Sequence, residues 1–79
     1  MADKIIELRQ DEQYITLGIL LKIAKIISTG GEAKIFLSEN EVLVNGEKEN
    51  RRGKKLFPGD VIKIEEREYL IEWILNQLK

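Results

Sequence analysis

The stretch from Thr29 to Gly46, TGGEAKIFLSENEVLVNG, leaves the chain few ways to fold. A helix start, a short helix, a stop, a strand and a tight turn follow one another without filler. Thr29 and Glu32 stand in the S/T-x-x-E spacing of a capping box. In that arrangement the hydroxyl accepts from the N–H of Glu32, and the carboxylate reaches back to the N–H of Thr29. Ala33, Phe36 and Leu37 repeat at helical spacing and predict the buried face. Lys34 and Ser38 share another face. Asn40 is expected to end the helix in a left-handed conformation, a role more often taken by glycine. Val42 and Val44 alternate as one face of a strand, and Asn45-Gly46 is a strong type I′ hairpin signal.

Gly30 and Gly31 fall in the first helical turn, where local propensity does not favour them. Two readings are open. They form a tight inter-helix turn with no room for side chains, or they leave backbone N–H groups bare at the positive end of a helix, which suits a phosphate.

The segment GGEAKIFLSENEVLVNG resembles the core of the RNA-binding domain family named after small-subunit ribosomal protein S-four, the alpha-L motif. That family runs through a helix, S/T-R-x-x-A-x-x-L-I, G-x-V-x-V-N-G and a later G-D-x-I-x-V strand. Ala33, Phe36, Leu37, Val42, Val44, Asn45, Gly46, Gly59, Asp60, Ile62 and Ile64 stand at matching places, over about residues 15–65. The likeness is greatest to the small stand-alone YaaA-type members, through ITLGILLKIA, TGGEAK, EVLVNGE and ENRRGKKL. Two positions depart from the pattern: Gly30 and Thr16 stand where the family often has arginine. Phosphate contacts are then expected from the backbone and from other cations. The resemblance implies structured RNA as ligand, with ribosomal RNA or an assembling ribosomal particle as the setting, in a bacterial cytoplasm.

Seventy-nine residues are expected to form one domain, residues 1–79, with a thin core. With no cysteine there is no disulfide and no thiolate metal site, and with no histidine the commonest general base is missing. No apolar run follows a basic start, so no signal peptide is expected, and nothing approaches a membrane span. The net charge of −1 argues against nucleic acid until its distribution is read. Residues 16–59 hold eight cations against five anions. The segment before holds two against four, and the segment after three against five. Basic charge therefore gathers in the middle of the chain, as a contact patch would.

Ahead of the central stretch, Ile6 and Leu8 alternate with charged residues and predict a strand over about residues 4–9, at an edge or beside the C-terminal strand. Asp11-Glu12-Gln13 reads as a turn. Residues 15–27 are expected to be the first helix, with Thr16 as N-cap and Leu17, Leu20, Leu21, Ala24 and Ile27 as its core stripe. Gly18, Lys22 and Lys25 share its polar face. Ile19 and Ile26 are covered by another segment or form an exposed apolar rim. Beyond the hairpin, EKENRRGKKLFPGD is long for a strand connection. Pro58-Gly59 fits a type II turn. VIKIEE reads as a strand, Glu66-Arg67-Glu68 as a turn, and YLIEW as the last strand, ending near Trp73 before a short helical or frayed tail.

The basic loop Arg51-Arg52-Gly53-Lys54-Lys55 is the strongest functional signal. Lysine and arginine neutralise phosphates along a backbone, and arginine adds a planar fork. The candidate RNA-binding set is Lys22, Lys25, Gly30, Gly31, Lys34, Asn45, Gly46, Lys48, Arg51, Arg52, Lys54 and Lys55. Phe36 and Trp73 are expected in the core, and the pattern assigns no place to Tyr14, Phe57 or Tyr69. Recognition of folded RNA by shape and backbone is expected, with little reading of single strands. No nucleophile–base pair, phosphate loop or ligand cluster argues for catalysis, a cofactor or a metal. Glu65, Glu66, Glu68 and Glu72 read as an exposed acidic edge. The fold class is α+β: two helices packed at an angle on one face of a small, mainly antiparallel sheet of four or five short strands. The protein is expected to act as a monomeric RNA-binding module. The alternative is a protein-interaction adaptor using Ile19, Ile26 and the segment from Trp73 to Leu78.

Overall fold

Alternation of apolar and polar residues builds the sheet, and the computed structural model describes it within residues 3–9 and 12–73. Five strands lie in the order β1 (Lys4–Leu8), β7 (Arg67–Trp73), β6 (Val61–Ile64), β3 (Val42–Val44) and β4 (Glu47–Lys48). All neighbours run antiparallel except β1, which pairs with β7 in parallel as an edge strand. Registers Val42↔Ile64, Val44↔Ile62 and Ile62↔Tyr69 stack the apolar side chains on one face. Ile6 and Ile71 extend that face into the parallel pair. Leu43, Lys63 and Glu68 line up across the other face.

Helix α1 (Leu17–Ile23) and helix α2 (Gly30–Glu39) complete the core. Leu17, Leu20 and Leu21 from α1 and Ala33 and Leu37 from α2 are buried with Val42, Val44, Ile62, Ile64 and Tyr69. Truncating a core leucine such as Leu20 to alanine is expected to cost about 2–5 kcal/mol, from lost burial plus the cavity left behind.

The first helix is shorter than its periodicity predicts. Ile15 is not helical: with Thr16 it forms strand β2 (Ile15–Thr16), paired antiparallel to β5 (Lys55–Leu56). At the other end Lys25 takes a left-handed φ of 62°. Its N–H donates to the Lys22 carbonyl (3.0 Å), and the Ile26 N–H donates to the Leu21 carbonyl (2.9 Å). That pair of bonds is the Schellman stop, with lysine where glycine is usual. Ile27 still reaches the core, and Ile26 packs half-buried against it.

Other local expectations fare unevenly. Asn45 (φ 53°) and Gly46 (φ 87°) make the two-residue turn between β3 and β4. The Asp60 N–H donates to the Phe57 carbonyl at 3.0 Å, and Gly59 has φ 97°, as a type II turn requires. Asn40 does end α2, but not in the left-handed region. Its backbone is extended (φ −132°), and its side-chain amide donates to the Phe36 carbonyl at 3.0 Å. The turn after β6 lies one residue earlier than expected, at Glu65-Glu66, with Glu65 at φ 58°. The expected turn at Asp11 falls partly outside the described residues, within which the Arg9 N–H meets the Glu12 carboxylate at 2.9 Å. The expected tail, residues 74–79, lies wholly outside them. Trp73 is 43% exposed and does not join the core, although its register partner Leu8 is buried.

Candidate nucleic-acid interface

A helix leaves its first N–H groups without intrahelical acceptors. In α1 the basic loop supplies them. The Leu17 N–H donates to the Lys54 carbonyl and the Gly18 N–H to the Arg52 carbonyl, both at 2.9 Å. The Ile19 N–H goes to the Thr16 hydroxyl at 3.3 Å. With β5 paired to β2, this clamps residues 52–56 against the start of α1. A loop of charged residues is thereby held in one place by main-chain bonds.

Arg52 then turns towards the second helix. Its guanidinium Nη1 donates to the Gly30 carbonyl at 3.2 Å. Between the two helix starts lies an open groove of about 300 Å³, lined by Lys22, Gly30 and Arg52 together with Gly18, Ile19 and Ala33. Gly18 lets the loop approach: a Cβ there would lie 3.4 Å from the Arg52 carbonyl oxygen.

At the start of α2 the Glu32 carboxylate accepts from the Thr29 N–H (3.1 Å) and the Ser28 N–H (2.5 Å). Those two donors, Ser28 first, hold its pKa below the ordinary carboxylate value. The N–H groups of Gly30 and Gly31 have no acceptor among the described residues. A Cβ on either glycine would meet nothing within 4 Å. Packing therefore does not demand these glycines, and a crowded turn does not account for them.

The remaining candidates are dispersed. Asn45, Lys54 and Lys55 border a second hollow of about 270 Å³ together with Phe57. The Asn45 side chain is already engaged: it donates to Asp60 Oδ1 (3.0 Å) and accepts from the Val61 N–H (2.9 Å). Gly46 serves the turn. Arg51 forks onto Glu49, Nε–Oε2 at 2.8 Å and Nη2–Oε1 at 3.2 Å. That contact raises the Arg51 pKa and, as its largest cause, lowers that of Glu49. Lys48 faces Glu41 at 3.4 Å, beside another hollow of about 320 Å³. Lys25 sits at the Schellman stop, and Lys34 is exposed on α2; neither lines the first groove.

The pattern places Gly18 on the polar face of the first helix and leaves Ile19 open as an apolar rim, but it gives no place to Tyr14 and Phe57, which the structure sets beside Lys54 and Lys55. Gly18 does carry a signal, since glycine inside a helix is costly unless something approaches it. Among the described residues no group of acidic side chains could hold a metal, and no helix is long and apolar enough to cross a membrane.

The sequence model of the S4 domain matches residues 6–72. The chain belongs to the S4-domain family. The S4 match takes in most of β1 and most of β7, beyond the central stretch that carries the motifs. Among curated proteins this S4 domain is similar to the "Probable ribosome maturation protein RlbA" of Bacillus subtilis (strain 168). The two are 62% identical over 55 residues, covering 70% of this chain and 78% of that protein.

Proposed function

We propose that this S4 domain is a non-catalytic module that binds structured RNA, namely ribosomal RNA or a ribosomal particle in assembly. It would act in the cytoplasm as a monomer, with residues 1–79 as one folding unit. The observation that carries the reading is Arg52, whose guanidinium lies 3.2 Å from the Gly30 carbonyl. The family pattern often has arginine at the position of Gly30. Here a loop cation reaches the same helix start from outside it. The likeness to a ribosome maturation protein supports a ribosomal setting.

In this reading a phosphate enters the groove between the helix starts. It takes the bare N–H groups of Gly30 and Gly31, with Lys22 and Arg52 beside it. The N-terminal partial charge of α2 adds to the attraction. Lys54 and Lys55 continue the contact along the RNA backbone. Lys25, Lys34, Lys48 and Arg51 add longer-range attraction, weakened where Glu41 and Glu49 already neutralise them.

The test is binding to purified ribosomal subunits and to a structured ribosomal RNA fragment, at low and near-physiological salt. If four cations meet phosphates, the logarithm of affinity falls with the logarithm of salt at a slope of about −3. Arg52→Glu and the pair Lys54→Glu/Lys55→Glu should each lose most of the affinity while remaining folded. Absence of RNA binding by the wild type, or indifference to these reversals, would refute the reading.

A further inference from the structure

Tyr14 and Phe57 lie 43 positions apart in sequence, yet their ring centroids are 5.6 Å apart with planes tilted by 49°. This is within the range of attractive aromatic contact. The β2–β5 register explains the meeting. Ile15 pairs with Leu56, so Tyr14 and Phe57 are the next pair outward and point to the opposite side. Ile15 and Leu56 are buried, whereas Tyr14 is 38% exposed and Phe57 45% exposed. Two rings are thus presented to solvent on a backbone that is held firmly. The Phe57 N–H donates to Asp60 Oδ2 at 2.8 Å, and the other Asp60 oxygen is bound by the Asn45 amide.

Two lysines stand beside this pair. Lys55 Nζ lies 5.0 Å from the centre of the Tyr14 ring, covering one of its faces. Lys54 borders the same hollow as Phe57. Three carboxylates line that hollow as well: Glu49, taken up by Arg51, Asp60, taken up by Asn45 and the Phe57 N–H, and the exposed Glu47. The outward side of the ladder also carries Thr16, which lines the groove between the helix starts. The ring pair is therefore continuous with the proposed RNA surface.

We infer that Tyr14 and Phe57 form a stacking platform for one unpaired base of the bound RNA. The open face of Phe57 receives the base, Tyr14 braces it from the side, and Lys54 and Lys55 meet the flanking phosphates. The inference rests on the RNA-binding reading and adds a single-stranded nucleotide to a ligand otherwise held by shape. Stacking tolerates any base, since each has a π-face, so the platform selects an unpaired position and not a sequence.

The experiment compares two RNAs on the full chain. One is a blunt ribosomal stem closed by a short stable loop. The other is the same stem with a single-stranded extension, tried at either end, carrying a fluorescent purine analogue. Wild type should bind the extended RNA more tightly, and the analogue's emission should change on binding. Phe57→Ala and Phe57→Leu should lose about five- to hundredfold in affinity for the extended RNA and leave the blunt stem unaffected. Phe57→Trp should keep the preference, which a merely structural role for Phe57 would not explain. Equal wild-type affinity for both RNAs overturns the platform while leaving the RNA-binding reading intact. So does retention of the preference in Phe57→Leu. If neither RNA is bound, the RNA-binding reading fails and the platform falls with it.

Discussion

The Asn45 amide and the Asp60 carboxylate meet across the fold, Nδ2 to Oδ1 at 3.0 Å. Asn45 thereby ties the hairpin turn after β3 to the type II turn before β6. Its oxygen accepts from the Val61 N–H, and its own N–H donates to the Val61 carbonyl at 2.7 Å. The two shared motifs V-N-G and P-G-D are therefore halves of one clamp. Asn45→Gly keeps the left-handed φ but removes the amide. It should destabilise the fold by about 1–2 kcal/mol, the worth of two modest hydrogen bonds. A urea titration of Asn45→Gly, Asp60→Ala and the double variant should return a coupling energy of at least about 0.5 kcal/mol. RNA affinity of the folded Asn45→Gly protein should change little, because both polar atoms of the amide already bond within the fold.

Lys25 ends α1 in a conformation that opposes its residue type. A left-handed φ costs a non-glycine residue about 1–2 kcal/mol. Lys25→Gly relieves that strain at some cost in unfolded-chain entropy. The net expectation is a gain of roughly 0.5–1 kcal/mol, read as a higher denaturation midpoint with an unchanged slope. Affinity for RNA should fall only slightly, since Lys25 does not line the groove and contributes only longer-range attraction.

Signals confined to a few residues were legible, and signals made by distant ones were not. Thr16, the Thr29–Glu32 spacing, Asn45-Gly46 and Pro58-Gly59 each specify their local geometry by side-chain chemistry. The stop at Lys25 is illegible because lysine gives no hint of a left-handed site. Asn40 announced a stop correctly, but asparagine can end a helix by its amide as well as by its φ. The two-residue strands β2 and β5 are too short to show a period, so neither the anchored basic loop nor the Tyr14–Phe57 pair could be read. The candidate cations were visible as a composition. Their division between Arg52 at the groove and Arg51 on Glu49 depends on tertiary placement alone.

Acid should loosen the start of α2 before the core. Glu32 has a folded pKa below its ordinary value because the Ser28 and Thr29 N–H groups stabilise the anion. A depressed folded value means the contribution is complete above the unfolded pKa, about 4.3, and is lost as pH falls through the folded one. Glu49, lowered chiefly by its bonds to Arg51, acts with the same sign. Stability should be flat through neutral pH and decline only below the ordinary carboxylate range. In Glu32→Gln that decline should be shallower, as measured by thermal unfolding across an acid series.

Gly30 and Gly31 offer the sharpest separation of stability from binding. Nothing lies within 4 Å of a Cβ at either position, so alanine fits both. Alanine is a better helix former by roughly 0.5–1 kcal/mol per residue, so Gly30→Ala/Gly31→Ala should melt higher than wild type. If the bare N–H groups receive a phosphate, the added methyls crowd it, and RNA affinity should fall as stability rises. Arg52→Ala should behave differently. Its exposed hydrogen bond to Gly30 contributes little to folding, so stability should change by less than about 1 kcal/mol. Its RNA affinity should drop, and the salt slope should fall by about one as one phosphate contact is lost. The glycine pair, by contrast, removes no charge and should leave the slope unchanged. Measuring melting and salt slope on both variants therefore separates the two halves of the site. A diglycine variant that binds normally would assign the phosphate to the loop alone.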